Sequence, residues 1–372
     1  MTARTSAADT GTGQHTAVRP AREEKRGGTR PARARVTAAV LTLALIATLV
    51  LSATLGQFGT SPGEVLDSLW RGLTTAAIPE SSRVDAALWA IRFPRALLAM
   101  MVGACLAVGG ALMQGVFANP LAEPSIIGVS SGASVGAAAA IIFGLSAVST
   151  WALPLAAFIG AVVATLGVWA LARSRGAAAV LTLVLTGIAI NAIGSAATSF
   201  LVFLGNTSSR EQIIFWQLGT LSGARWASLG VTAVVFLLSF VGCLLVRRQL
   251  DVLALGDSSA SATGVSVQRL RVLVIVLVCL LTGTAVAFAG IIAFVGLIVP
   301  HALRLIVGPS HHYLIPLSAL GGAFLLSSAD IAARTLIPFA DLPIGIFTAI
   351  VGGPLFLVLL RRTLHGQGLR PS

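Results

Sequence analysis

Residues 92–133 read RFPRALLAMMVGACLAVGGALMQGVFANPLAEPSIIGVSSGA, and this stretch decides the fold. Ala96 to Val116 is long enough to cross a hydrocarbon core about 30 Å thick. Yet Gly103, Ala104, Ala107, Gly109, Gly110, Ala111 and Gly115 strip it of the bulk that a lipid-facing helix carries. Small residues let neighbouring backbones approach closely, so the spacing predicts a helix surrounded by protein. Asn119-Pro120 halts it, because proline has no amide donor and disfavours helix in the residue before it. A Gly/Ala-rich segment restarts at Gly128.

Composition sets the class. The chain has 372 residues, 56% hydrophobic and only 10% charged, with mean hydropathy +0.92, whereas soluble domains carry about 25% charged residues. It is read as an all-α polytopic membrane protein. A window of about 20 residues places crossings near 36–56, 95–117, 123–144, 151–172, 180–204, 226–247, 270–290, 292–307, 313–336 and 343–361. About ten crossings are expected, in a transmembrane domain spanning 36–362.

Residues 1–35 lack apolar periodicity and carry seven Arg plus Lys25. They are expected to form a disordered basic cytoplasmic tail, and 363–372 a short cytoplasmic C-terminal tail. A positive flank before a first span sets orientation and touches anionic lipid, so nucleic acid is not expected as a partner. With that tail inside, Arg173, the Arg247-Arg248 pair, Arg269, Arg271, Arg304 and Arg361-Arg362 fall on the same side. Both termini are then cytoplasmic. The first span reads as a retained anchor, since a long tail precedes it and no small-x-small cleavage site follows.

The source of energy is constrained by what is missing. A phosphate-binding loop of the G-x-x-x-x-G-K-[ST] type needs a lysine, and Lys25, the single lysine, is followed by Arg26. The chain is not expected to be an enzyme or to carry a cofactor. Ion-coupled carriers bury titrating groups near mid-membrane, and here Asp330 is the one clear intramembrane carboxylate, four residues before Arg334. That spacing reads as a structural ion pair. An ion-coupled carrier and a non-transporting scaffold stay open as alternatives at this point. Cys105, Cys243 and Cys279 each sit alone in an apolar run and read as small core residues. His301 reads as a packing or capping residue, and the adjacent His311 and His312 point in different directions and make a poor metal site.

Three further regions stand out. After Arg247-Arg248, residues 249–268 contain QLDVLALGDSSASATGVSV, broken at Gly256 and Gly264, and predict two small helices lying on the cytoplasmic face. A loop resting on lipid headgroups is the other reading. On the opposite side, Arg92, Arg95 and Arg334 keep positive charge where the topology rule disfavours it. They call for an anionic partner, phosphate headgroups included. The fifth span, with Gly187, Asn191, Gly194, Ser195 and Ser199, offers small polar residues that line a pathway or bond helices together. It runs into REQIIFWQLGTLSG at 210–223.

In this order the blocks resemble the permease subunits of ABC importers for iron–siderophore complexes, haem and cobalamin, the type II import fold. The resemblance covers about residues 85–362 and includes VAFAGIIAFVGLIVPHALRLIVG and DLPIGIFTAIVGGPLFLVLLRR near the C-terminus. It implies an inverted repeat, for which the sequence offers a faint echo of the Asn119-Pro120 break at Val299-Pro300, with a small-residue restart at Ala319 to Ala323. It also implies a permease dimer in a bacterial cell membrane, two cytoplasmic ATPase subunits that bind ATP and Mg, and an extracytoplasmic binding protein. Leu250, Leu253, Leu255, Gly256, Asp257, Ala260 and Gly264 match the family's ATPase-coupling segment, although serines follow Asp257 where acids are common. Arg92, Arg95 and Arg334 match positions that receive glutamates of the binding protein. Asn119 and Leu121 match the inner gate, and residues 210–223 the short outer gating helix. Iron–siderophore is the expected cargo as the family's commonest assignment, with haem and cobalamin open.

Overall fold

The computed structural model describes residues 29–56, 59–75, 82–173, 180–337 and 340–366. Most of both expected tails, 1–28 and 367–372, lies outside these residues. Helix α1 (Thr29–Thr54) begins seven residues before the expected span, so 29–35 are helical rather than part of the tail. Pro31 falls in its first turn, where the missing amide would have no partner anyway. Next come α2 (Pro62–Thr75) and α3 (Arg83–Ala87), then one π-helical turn, Leu88–Arg92, that leads into α4 (Phe93–Val116). Neither α2 nor α3 was expected. Ser61 and Glu64 cap α2 reciprocally: the Ser61 amide donates to the Glu64 carboxylate at 2.7 Å and the Glu64 amide donates to Ser61 Oγ at 3.3 Å.

All of α4 except Leu97 and Met101 is buried, as its small residues predict. A 3-10 turn at Pro124–Ile127 leads into α5 (Val129–Ile142), followed by α6 (Leu145–Val148), α7 (Ala152–Ala172), α8 (Val180–Leu204) and α9 (Thr207–Gln217). The crossing expected over 123–144 is therefore a helix of 14 residues. At 1.5 Å per residue it spans only about 21 Å, and the Pro124–Ile127 elbow precedes it. Gly128 makes that elbow possible, with φ +80° between the 3-10 turn and α5.

The second half comprises α10 (Trp226–Leu253), α11 (Asp257–Ala262), α12 (Val267–Ala289), α13 (Val295–Val307), α14 (His311–Thr335) and α15 (Ile344–Gly366). Among the described residues seven helices are long and apolar enough to cross a membrane, and α5, α13 and part of α15 are shorter apolar helices. The bundle has two ends. One carries Arg92, Arg95 and Arg334 and is called the arginine end; the other carries the turn between α10 and α11 and is called the loop end.

Glycines set the closest helix contacts. A Cβ on Gly132 of α5 would lie 2.2 Å from the Gly160 carbonyl oxygen of α7, and a Cβ on Gly160 would lie 2.1 Å from that of Gly132. Helix α13 meets α4 through a different device. Pro300 lies inside α13 and cannot donate to the Gly296 carbonyl four residues back. The freed oxygen sits where a Cβ on Gly110 would come within 1.7 Å. Pro300 therefore does not break the chain as the sequence suggested. The bend that answers the first elbow lies at 290–294, between α12 and α13. On either side of it the packing is matched: α4 packs on α14 and α13, while α12 packs on α7 and α5.

Candidate functional site

At the arginine end the three predicted arginines come together, turned inward. They are 6%, 8% and 9% exposed for Arg92, Arg95 and Arg334. Arg92 donates to the Ala53 carbonyl and, at 2.8 Å, to Thr60 Oγ1. Arg95 bridges two carboxylates, with Nε 2.9 Å from Asp330 and a terminal nitrogen 2.6 Å from Asp341. Arg334 donates to the carbonyls of Ser52 and Leu55 at 2.7 and 2.9 Å. The expected Asp330–Arg334 pair is present but loose, at 3.6 Å, and Asp330 is held more closely by Arg95. Much of what these cations need is thus met inside the chain, by carboxylates and helix-end carbonyls.

Between α5, α8 and α9 lies a groove of about 590 Å³ lined by hydroxyl and amide groups. Asn191 organises it. Its amide donates to the Ser125 carbonyl at 3.0 Å and its oxygen accepts from Ser131 at 2.7 Å. Asn191, Ser195 and Ser199 line the groove together with Ser125, Ser130, Ser131 and Ser134. The last four were not singled out from sequence, although the serines follow the Pro124 elbow directly. Gly187 and Gly194 do a different job. A Cβ on Gly187 would lie 1.8 Å from the Ile126 carbonyl oxygen, and one on Gly194 would lie 2.9 Å from Ser131 Cβ. They let α8 lie against the elbow and α5 rather than line the groove.

Beyond the groove, α9 ends in a turn at Gly219, φ +74°. Backbone bonds from Thr220 to the Ala289 carbonyl and from Ile344 to the Gly219 carbonyl, at 2.8 and 2.9 Å, tie this turn to the ends of α12 and α15. A second cavity of about 750 Å³ opens beside it, with Trp151, Phe215 and Phe288 on its wall and Glu211 and Arg225 at its polar edge.

At the loop end, two separate helices were expected over 249–268. Instead α10 runs unbroken to Leu253, and only Asp257–Ala262 forms a helix of its own. The apolar spacing of Leu250 and Leu253 continues the buried face of α10, so nothing ends the helix before Gly256, which has φ +107°. Of the predicted coupling residues, Leu250, Leu253 and Ala260 are buried, while Leu255 is 74% exposed and Gly256 is exposed. Asp257 pairs with Arg271 at 2.9 Å. Gly264 closes the segment with φ +84°. Asn119 is exposed at the elbow of α4, where its side chain accepts from the Leu121 amide at 2.9 Å.

Nearby, Asp251 of α10 receives three bonds from the start of α14: the Ser310 hydroxyl at 3.0 Å, the His311 amide at 2.7 Å and His311 Nδ1 at 2.7 Å. His312 turns away and meets Tyr313 edge-on, as expected for adjacent histidines. His301 is buried. Among the described residues no group of three His, Cys, Asp or Glu could hold a metal, and Cys105, Cys243 and Cys279 are free and buried.

The chain is similar to known proteins over most of its length. The cobalamin import permease BtuC of Halobacterium salinarum is 43% identical over 300 residues, covering 78% of this chain and 79% of that protein. The hemin transport permease HmuU of Yersinia pestis is 41% identical over 281 residues, covering 73% and 82%. A solved inward-facing structure of a transporter assigned to the metal-chelate ABC type superposes with TM-score 0.77 at 34% identity, covering 88% of this chain and 99% of that one. The FecCD transport family matches residues 44–362. An all-helical bundle with small-residue contacts, two re-entrant elbows and no nucleotide-binding loop of its own is thus a multi-pass ABC importer permease, and the chain belongs to the FecCD transport family.

Proposed function

We propose that this permease forms the translocation path for a metal tetrapyrrole, cobalamin or haem, rather than for a ferric siderophore. The observation that carries the reading is the likeness to cobalamin and hemin permeases at 43% and 41% identity. The Ser- and Asn-lined groove agrees with it: its walls are uncharged and suit a bulky amphiphilic cargo handed over by a separate binding protein. Uptake of labelled cobalamin, haemin and a ferric hydroxamate by vesicles containing the assembled importer tests the assignment. Accumulation of cobalamin or haemin is expected. Accumulation of the ferric hydroxamate alone overturns it.

The arginine end faces the binding protein and the loop end faces the cytoplasm, with both termini inside, as the basic residues of the loop end support. A second permease subunit completes the path. Leu255, Gly256 and Asp257 form the outward part of the ATPase contact, because they are exposed predicted coupling residues at the Gly256 turn, whose positive φ a glycine backbone allows. Leu250, Leu253 and Ala260 hold that turn from within. Asn119 and Leu121 close the path at the loop end. Arg92, Arg95 and Arg334 receive acidic side chains of the binding protein, as cationic groups gathered at the end opposite the coupling turn.

A further inference from the structure

We infer that His311 is the positioning residue that carries movement of the coupling turn to the elbow of α4. The inference rests on the proposed roles of Leu255-Gly256 and Asn119, and it concerns what lies between them. Asp251 stands in the last turn of α10, four residues before Leu255. Its carboxylate caps α14 from outside that helix, taking the Ser310 hydroxyl, the His311 amide and the His311 ring. An anion at a helix N-terminus satisfies an otherwise orphaned amide and complements the dipole there. Displacement of the end of α10 therefore acts directly on the start of α14.

The far side of the His311 ring has no slack. His311 is fully buried, and Nε2 has no hydrogen-bond partner. It faces Gly115 in the last turn of α4, where an added Cβ would lie 2.5 Å from it. Gly115 is itself part of the elbow. Its carbonyl accepts from the Ala118 amide at 3.3 Å, and the Gln114 carbonyl accepts from the Asn119 amide at 3.2 Å. Ala118 between them sits at φ +46°, a conformation that a residue with a Cβ adopts only when its surroundings impose it. One fully enclosed ring thus bonds to the carboxylate beside the coupling turn on one side and abuts the elbow on the other. Packed interiors transmit displacement because they do not compress.

The test uses the complete importer in vesicles, with Asn119→Cys in paired subunits reporting the elbow by crosslinking. In the parent, ATP trapping is expected to abolish the crosslink. His311→Ala should retain assembly and basal ATP hydrolysis, yet the crosslink should no longer respond to ATP, and uptake should fall by about tenfold. Gly115→Ala removes no hydrogen bond and should also block the response by overfilling the contact; because both substitutions act on one contact, the double variant should lose no more uptake than His311→Ala alone. An unaltered crosslink response in Gly115→Ala overturns the inference, and so does full uptake in His311→Ala. The underlying coupling reading is tested separately by Leu255→Asp. If that variant keeps full ATPase stimulation, the coupling reading fails; if it loses stimulation while His311→Ala and Gly115→Ala behave as the parent, only the present inference fails.

Discussion

Gly103 of α4 and Gly322 of α14 face each other so closely that a Cβ on either would lie 2.1–2.2 Å from the other's carbonyl oxygen. The same two helices are joined at the arginine end by Arg95 and Asp330 and at the loop end by His311 against Gly115. The pair is therefore fastened along its whole length. Dispersion across so narrow a gap holds it in a membrane, where the hydrophobic effect contributes little between helices.

Gly103→Leu should separate the pair. Overpacking of this kind costs about 1–3 kcal/mol, and more where backbone faces backbone. Thermal unfolding of the purified permease in detergent is expected to shift several degrees downward. Gly353→Ala is the control, since a Cβ there meets nothing within 4 Å, and it should be neutral or mildly stabilising.

Asp330→Ala should be more damaging still. It would leave Arg95 and Arg334 facing each other in a buried cluster without the carboxylate that both approach. Breaking one partner of a buried charge group costs about 3–5 kcal/mol. The milder Asp330→Asn is expected to lower thermal stability while uptake stays strictly ATP-dependent. Uptake driven by a proton gradient in the parent, and lost in Asp330→Asn, would instead favour an ion-coupled carrier.

Coupling is expected to separate the exposed from the buried leucines of one short segment. Leu255→Asp places a charge where the side chain is already solvated, so it should leave the melting temperature unchanged and remove ATPase stimulation. Leu250→Asp buries that charge and should unfold the end of α10. Equal effects of the two variants on folding would sink the proposed division between contact and support.

How far the sequence was legible follows from the range of each interaction. The burial of α4, the elbow at Asn119-Pro120 and the polar face of α8 are written in local runs of small or polar residues. The capped helix α2 was missed because its mixed composition falls below any crossing threshold. Continuation of α10 through Leu253 was missed because Arg247-Arg248 looks like a membrane boundary, whereas a helix does not end where lipid does. The two partners of Arg95 could not be read at all: Asp330 and Asp341 are 235 and 246 residues away, and only the fold brings them together. Pro300 misled for a related reason, since the carbonyl it frees is used by Gly110 of another helix.

The docking of a binding protein at the arginine end is the most exacting case, because the same side chains brace the fold. An exposed ion pair contributes about 0.2–1 kcal/mol, whereas truncating one partner of a desolvated interfacial pair costs about 2–5 kcal/mol. The size of the effect therefore separates docking from incidental attraction, but stability must be measured beside it. Arg92→Lys keeps the charge and loses the forked geometry that reaches the Ala53 carbonyl and Thr60. Arg92→Glu reverses the charge. If the cluster receives acidic side chains, Arg92→Glu should weaken binding-protein association far more than Arg92→Lys, while both lose comparable thermal stability. Charge reversal of the facing glutamate on the binding protein should restore association with Arg92→Glu. The exposed Arg225, at the edge of the neighbouring cavity, provides the contrast: Arg225→Glu is expected to alter affinity only by the amount of a solvated pair. If both Arg92 variants melt earlier yet bind with the parent's affinity in the assembled importer, the three arginines are internal braces alone.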